Sequence, residues 1–336
     1  MKVFLVGAGD IAFSHAKAVV RLGGEAIGTY DVSDAHAQRF SKYFGCPAVK
    51  YEQLEEYIGK ADYVVICTPP TKRLEYVEKV LSAHVPLYME KPIGTSMEDA
   101  MKLKEMAEKY DGRIIVGFAH HYRPPFMKLA EMVQSGMLGD PVNVFCQRMG
   151  PGFGFRQRSM AESWRTDAKL ACGMTIESLS HEFNLLTTLG GPFKNITANV
   201  WSTIDTLPNF DTNSSMTMPF ANGGIASINA SWSSDLGFCM RGYIGTKGTA
   251  YITGQGLFEF KELTYKTAEM EHAETITYND SYDLGQDDVI FHVHEHFQDC
   301  LKNDKPILTP LQDGIDALHM SLSALKSSKE HVTVEL

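Results

Sequence analysis

The stretch Lys2-Val3-Phe4-Leu5-Val6-Gly7-Ala8-Gly9-Asp10-Ile11-Ala12, answered further on by Asp31, decides the fold of this 336-residue chain. Lys2–Val6 has the apolar character of a short buried strand. The glycine turn opens a predicted helix that reaches about Leu22, and a second apolar run, Ala26–Tyr30, ends on Asp31. Strand, glycine turn, helix, strand, acid is the order in which a βαβ unit holds a dinucleotide. Gly7 permits the tight turn, Gly9 lets the backbone approach a pyrophosphate, and the small Ala12 lets helix pack on sheet. The helix start at Asp10 and Ile11 turns unpaired N–H groups and a positive dipole end towards the phosphates. Asp31 stands about 20 residues after Gly9, where a carboxylate meets the ribose hydroxyls. A glycine pattern by itself also fits a doubly wound domain whose turn binds nothing; the flanking strand, helix and acid favour the dinucleotide. A carboxylate at 31 repels a 2′-phosphate, and Val32-Ser33-Asp34 adds no arginine to receive one. NAD is therefore expected in preference to NADP.

Working outward, the length suits two domains at roughly 100–200 residues each. A hydrophobic content of 44% and a charged content of 21% are ordinary for a globular protein. No apolar run approaches the roughly 18–20 residues that span a bilayer, so a membrane partner is not expected. The N-terminus runs directly into a strand, without the look of a signal peptide. Cys46, Cys67, Cys146, Cys172, Cys239 and Cys300 are scattered without a C-x-x-C pair. Buried thiols in a reducing, cytoplasmic setting fit that pattern better than a disulfide frame or zinc site. Asn195, Asn213 and Asn229 then match the glycosylation pattern by chance. The net charge of −10, without a basic stripe, argues against nucleic acid as a partner.

Residues 1–118 alternate strands and helices. The runs Lys2–Val6, Ala26–Tyr30, Tyr63–Cys67, Leu87–Met89 and Ile114–Phe118 read as parallel strands buried on both faces. Helices are expected over Ala35–Phe44, Lys72–Ala83 and Ser96–Tyr110. This predicts an α/β, doubly wound Rossmann domain with its crevice at the carboxyl ends of the strands. From residue 119 to 336 the texture changes to an α+β domain. Helices are predicted over Pro125–Gly136, Thr175–Leu189, Val289–Lys302 and Gly314–Ser327. A large, mainly antiparallel open sheet is expected from Asn143–Met149 and, between Asn195 and about Tyr278, from strands at Thr197–Thr203, Ser214–Pro219, Ile225–Ser231, Cys239–Gly245 and Thr249–Thr253.

Three segments could carry chemistry. Cys67-Thr68-Pro69-Pro70 leaves a buried strand as an open loop, fit to touch the cofactor or simply to stop the strand. Glu90-Lys91-Pro92 brings a lysine to the same crevice. A desolvated lysine exchanges protons near neutral pH, although most lysines are merely surface groups. Glu177 and His181 are spaced i, i+4 in the predicted helix, with Asn184 three residues on. A carboxylate beside an imidazole orients it and raises its basicity, but the same spacing serves a helix-start acid and a packed histidine.

Taken in order, Gly-x-Gly-x-x-Ala, Asp31, Thr68-Pro69, Glu90-Lys91-Pro92, Trp164-Arg165 and Gly173…Glu177…His181 carry a resemblance. The chain closely resembles the glucose–fructose oxidoreductase, inositol dehydrogenase and rhizopine catabolism (Gfo/Idh/MocA) family of sugar and polyol dehydrogenases. The resemblance runs nearly end to end, through Leu138-Gly139-Asp140-Pro141, Gly245-Thr246-Lys247-Gly248 and Asp313-Gly314. It implies hydride transfer between a secondary alcohol carbon of a sugar or cyclitol and nicotinamide C4. His181 resembles the family's acid/base. Lys91 resembles the lysine between nicotinamide and the reacting carbon. Glu177 stands where aspartate is common. Trp164, Arg165, Tyr122 and Arg156 or Arg158 are the implied substrate contacts, and a homodimer or homotetramer is the implied assembly. Ala171-Cys172-Gly173, Glu177, Asn184 and Arg73 depart from the family pattern. The first three bear on substrate, or on a sensing regulator that has lost turnover. An NADPH-dependent keto-sugar reductase is a further alternative, opposed by Asp31. Of His292, His294 and His296 only the outer pair has a spacing that suits a metal on a helix face; Asp287–Lys302 reads better as a helix covering the domain interface than as a metal site, and His120-His121 reads as structural.

Overall fold

A computed structural model of the chain describes residues 1–152, 164–167, 169–204, 210–254, 260–278 and 286–336. They form two compact units. One is Met1–Ala119 with Gln286–Leu318, and the other is His120–Gly285 with His319–Leu336. The chain first passes from one unit to the other after Ala119. Gln286–Leu318, expected in the second domain, returns instead to the first unit.

The first unit holds strands β1 (Lys2–Val6), β2 (Glu25–Tyr30), β3 (Tyr63–Ile66), β4 (Leu87–Met89) and β5 (Ile114–Val116). Their order is β2-β1-β3-β4-β5, and every neighbouring pair is parallel. Val3–Val6 and Tyr63–Ile66 are wholly buried, as expected of strands covered on both faces. Helices α1 (Asp10–Arg21), α2 (Asp34–Phe44), α3 (Leu54–Ile58), α4 (Leu74–Ser82) and α5 (Met97–Lys109) supply the cover. Ser33 and Ser96 cap α2 and α5, each accepting a backbone N–H three residues on. Later in the chain come helices α6 (Pro124–Gln134), α7 (Gly173–Glu177), α8 (Ser180–Gly190), α9 (Gln286–Asn303) and α10 (Leu311–Glu330). The return of Gln286–Leu318 has a physical cause. Helix α9 packs against α1, with Arg21 over the Phe291 ring at 4.5 Å. Thr309 pairs with Val116 in both directions, its carbonyl accepting the Val116 N–H and its hydroxyl donating to the Val116 carbonyl, each at 2.8 Å.

The second unit is built on nine strands: β6 (Pro141–Pro151), β7 (Asn195–Trp201), β8 (Asn213–Pro219), β9 (Ile225–Ser231), β10 (Ser233–Gly245), β11 (Gly248–Gly254), β12 (Glu262–Thr267), β13 (Glu274–Thr277) and β14 (Val334–Glu335). Their order is β13-β12-β11-β10-β6-β9-β8-β7-β14. The β6–β9 pair is parallel and the other pairs are antiparallel. Val144, Cys146 and Arg148 alternate inward from β6, where α8 packs on the sheet. Gly190 permits that packing: a Cβ there would sit 2.1 Å from the Phe220 ring.

One expected element is overturned. Thr175–Leu189 is not one helix but two, α7 and α8. The Leu179 N–H reaches back five residues to the Met174 carbonyl at 3.0 Å, a widened turn that shifts the helical phase. Arg148 fixes the break by donating to the Ser178 carbonyl at 3.4 Å and to its hydroxyl at 2.5 Å. Glu177 and His181 therefore do not share a helix face through i, i+4 spacing.

Behind the break lies a fully buried ion cluster. Arg241 grips Glu182 with both arms, Nε to Oε2 at 2.9 Å and Nη2 to Oε1 at 2.5 Å. Arg148 Nε and His120 Nε2 stand 3.8 and 3.7 Å from the same carboxylate. Burial opposes the charge on Glu182, but the Arg241 guanidinium outweighs it and holds the carboxyl well below its usual range. Arg241→Met should destabilise the protein by about 3–5 kcal/mol, because it strands a buried carboxylate. Replacing Glu182 and Arg241 together by apolar residues should recover much of that loss, as urea unfolding would report.

Candidate functional site

In a parallel sheet all carboxyl ends emerge on one edge. Gly7, Asp31, Thr68, Glu90 and Gly117 therefore collect at the same end of the first unit. Gly7 has φ +104°, and a Cβ there would lie 3.0 Å from the Cys67 carbonyl carbon. Only glycine lets the chain turn this close to the end of β3. Above Gly9 there is no atom within 4 Å of a built Cβ, so the backbone is open to an approaching group. Gly9 is the N-cap of α1 and offers no side-chain cap; the Ala12 N–H turns to the Gly9 carbonyl at 3.0 Å, and the Asp10 and Ile11 N–H groups head the helix towards an outside acceptor. The Asp31 carboxylate accepts the Ala8 and Ser33 N–H groups, each at 2.8 Å, which fixes it at the tip of β2. These features fit a dinucleotide, with Gly7, Gly9 and the α1 start at its phosphates and Asp31 at its ribose. Asp10 points outward to Arg39 at 2.7 Å, and Ile11 is half-buried.

Thr68-Pro69 and Glu90-Lys91 are stitched together by Arg73, which is almost wholly buried. Its Nε and Nη2 donate to the Thr68 carbonyl at 3.0 and 2.8 Å, and its Nη1 donates to the Glu90 and Pro92 carbonyls. Arg73, noted in the sequence only as a departure, thus ties one crevice loop to the other. Lys91 is half-buried at the end of β4. The Glu90 side chain turns inward, with Oε1 3.1 Å from His15 Nε2. Burial opposes its charge, yet His15, Lys91 and Arg73 together keep its pKa below the ordinary value.

In the second unit, Glu177 is buried and takes a hydrogen bond from Arg165 Nε at 2.5 Å. The Arg165 guanidinium also lies 4.5 Å from the Trp164 ring centre, so Trp164, Arg165 and Glu177 form one group. His181 is half-buried and stacks on His120, ring centres 4.6 Å apart and 28° between planes. His120 in turn stacks on Phe126. Burial pushes its imidazole down to about 3, so it stays neutral. Asn184 Oδ1 lies 2.5 Å from His121 Nε2, which gives His121 a partner that composition alone did not suggest. Tyr122 is buried. Arg156 and Arg158 lie outside the described residues. Lys91 belongs to the first unit, and His181 and Glu177 to the second.

The three histidines of α9 diverge. His294 faces His15, His292 faces Glu295, and His296 faces Cys300 and the Leu308 N–H. Among the described residues no group of three or more His, Cys, Asp or Glu is placed to hold a metal ion. Nor is any described helix long and apolar enough to cross a membrane.

A Rossmann unit with an open glycine turn, followed by a large mainly antiparallel sheet, defines a two-part oxidoreductase architecture. Residues 1–118 match the family model described as oxidoreductase family, NAD-binding Rossmann fold, and residues 126–251 match the GFO/IDH/MocA C-terminal domain. The chain belongs to the Gfo/Idh/MocA oxidoreductase family. It is 28% identical over 144 residues to the glucose-6-phosphate 3-dehydrogenase of Bacillus subtilis (strain 168), covering 43% of this chain and 41% of that protein. It is 25% identical over 195 residues to an inositol 2-dehydrogenase of Pseudomonas savastanoi pv. phaseolicola, covering 56% and 54%. The chain thus spans about half the length of the curated relatives it matches. Over the whole chain the fold is that of levoglucosan dehydrogenase, solved with NADH and levoglucosan. The TM-score is 0.88 at 15% identity, covering 100% of this chain and 99% of that one.

Asp211 is a residue that sequence reading missed. Its Oδ2 accepts the Thr175 N–H at 2.9 Å and the Thr175 hydroxyl at 2.8 Å, anchoring the start of α7. Gly173, at φ +74°, leaves it room: a Cβ there would meet Asp211 Oδ1 at 2.1 Å. Burial pushes the Asp211 carboxyl up to about 6. The native state then keeps a proton that the unfolded chain, with an ordinary aspartate, releases near pH 4. Stability should fall as pH rises from about 4 to about 6 and level off above, by on the order of 2–3 kcal/mol. Asp211→Asn should remove that slope in urea titrations run across the window. A slope unchanged in the variant would assign it to other groups.

Proposed function

We propose that this chain is an NAD-dependent dehydrogenase of a secondary alcohol on a sugar, sugar derivative or cyclitol. The observation that carries the reading is the shared carboxyl edge. The same rim that presents the open Gly7–Gly9 turn and Asp31 also presents Lys91, tied down through Arg73. The named relatives, which include an inositol 2-dehydrogenase and a glucose-6-phosphate 3-dehydrogenase, support the substrate class.

When bound, the nicotinamide supplies the hydride acceptor. In this reading His181 takes the hydroxyl proton of the substrate, and its ring is held flat by the neutral His120 beneath it. Lys91 stabilises the developing alkoxide as an ammonium group. Glu177, clamped by Arg165 and backed by Trp164, orients substrate hydroxyls, with Tyr122 and Arg156 as further contacts. Asp31 accepts from the adenosine ribose and disfavours a 2′-phosphate, which supports NAD over NADP. Thr68, Pro69 and Glu90 line the cofactor side. Six free thiols fit a cytoplasmic setting. The open sheet of the second unit fits pairing with a second copy into a homodimer or homotetramer.

A second reading is a sugar- or dinucleotide-sensing regulator without turnover. It is favoured by the engagement of Glu177 with Arg165 and of Asn184 with His121. A panel of polyols and sugars with NAD, followed by the absorbance of NADH, separates the two. Turnover of at least one member is expected; NAD binding without any turnover would favour the sensor. Lys91→Ala and His181→Ala should each lower kcat by roughly 10²–10⁴-fold, with NAD binding retained by calorimetry. Near-wild-type turnover in both would remove the assignment. Asp31→Ala should narrow the preference for NAD over NADP. An unchanged ratio of kcat/KM for the two cofactors would mean that another group reads the ribose.

A further inference from the structure

Beneath Lys91 a chain of buried side chains runs into the first unit. Glu90 Oε1 is 3.1 Å from His15 Nε2, His15 Nδ1 is 2.9 Å from His294 Nε2, and His294 Nδ1 is 2.8 Å from the Tyr63 hydroxyl. Gln298 Nε2 donates to that hydroxyl at 3.3 Å. His15, Tyr63 and His294 are wholly buried, and Tyr88 stacks on His294 at 4.8 Å. The links come from β3, α1, α9 and the end of β4, so they are not neighbours in sequence.

The direction of the chain follows from donor and acceptor counting. Gln298 gives its N–H to the Tyr63 oxygen, so the Tyr63 proton goes to His294 Nδ1. His294 then carries its proton on Nε2 and donates it to His15 Nδ1. His15 carries its own proton on Nε2 and donates it to the Glu90 carboxylate. Every donor meets one acceptor with both imidazoles neutral and Glu90 ionised. The opposite sense requires the Gln298 amide turned over and a proton between His15 Nε2 and Glu90, held either by a His15 imidazolium or by a neutral Glu90 acid in place of the carboxylate.

We propose that Tyr63, His294 and His15 are positioning residues for Lys91: a one-way hydrogen-bonded chain that keeps Glu90 an anion and thereby Lys91 a cation. The proposal rests on the dehydrogenase reading only in assigning Lys91 to the reacting carbon. The other charged and titratable groups around Glu90 are Arg73, from the turn before α4, and Cys67, at the end of β3. Arg73 binds the Glu90 main-chain carbonyl rather than its carboxylate. Just past β5 the carboxylate meets Gly117, where a Cβ would stand 2.8 Å from Glu90 Oε1. A glycine at 117 is what lets the carboxylate reach His15.

The test has readouts that do not need turnover. Imidazole ¹⁵N spectra at pH 7 should give the neutral Nε2–H form for both His15 and His294. An imidazolium at His15, or an Nδ1–H form at His294, would overturn the direction. A ¹³C-carboxyl titration should place the Glu90 midpoint higher in Tyr63→Phe and His294→Leu than in the parent, by roughly one pH unit. His294→Gln, which restores a donor towards His15, should move it back. Midpoints that coincide in all four proteins would sink the proposal. In the enzyme assay His294→Leu should lose roughly tenfold in kcat while its Kd for NAD is kept, and His294→Gln should regain most of it. A structural role alone would lower Tm in both variants without that split. Normal turnover in Lys91→Ala would remove the assignment of Lys91 to the reacting carbon, and no turnover by the parent would remove the dehydrogenase reading, yet either would leave the spectra and the Glu90 midpoints to stand or fall by themselves.

Discussion

Burying the Glu90 carboxylate at the end of β4 is the constraint on which the crevice of the first unit depends. An ionised carboxylate removed from water costs several kcal/mol unless it is hydrogen-bonded and balanced. That requirement reaches far along the chain. It calls for His15 on α1 as a donor, for glycine at 117, and for cations at 73 and 91 nearby. Through His15 it also calls for His294, so α9 must lie against α1 and β3. The return of Gln286–Leu318 to the first unit is thus an electrostatic necessity as well as an apolar one. The helix brings Val293 and Phe297 to the core and also completes the partner set of a buried acid.

The second unit solves the same problem in a different way. Glu182 is also fully buried, and it is met by the bidentate Arg241, with Arg148 and His120 close by. In both units the buried acid is the immediate sequence neighbour of the candidate reactive group: Glu90 beside Lys91, and His181 beside Glu182. Consecutive residues must diverge in direction, so anchoring one side chain inside the core fixes the backbone from which the other is presented. A lysine or imidazole carried on a freely moving loop would lose that precision, and small misplacements are costly in catalysis. His120 adds a second restraint by stacking on the His181 ring while also facing Glu182.

Much of this was legible in the sequence, for identifiable reasons. The five parallel strands announce themselves as apolar runs because both faces are covered, and the glycine turn has a fixed order of parts. The open sheet was legible strand by strand from β7 to β11, but only as a texture beyond it. β12 and β13 carry Glu262, Lys266 and Glu274 and lack a strong alternating signal. The break between α7 and α8 could not be read, because it is set by Arg148, some thirty residues earlier on β6. Long-range ion pairs leave little local trace. One trace was present: Glu182 sits among Phe183, Leu185 and Leu186 on a helix with no nearby cation, and a charge in such company needs a distant partner.

The departures from the family pattern gain meaning from this geometry. Glutamate at 177 is one methylene longer than aspartate, and the break in the helix gives it a phase of its own. Its length is taken up by the reach to Arg165, whose guanidinium is flattened against Trp164. A shorter aspartate at that backbone position would need Arg165 and the Trp164 segment to move inward. Glu177, Arg165 and Trp164 therefore behave as one coupled set, and so do Asn184 and His121. Each set joins a departure from the family to a residue elsewhere in the unit that receives it. A substitution at one member of such a set has to be met by the other. Within each unit, a buried acid with matched partners stays satisfied without water.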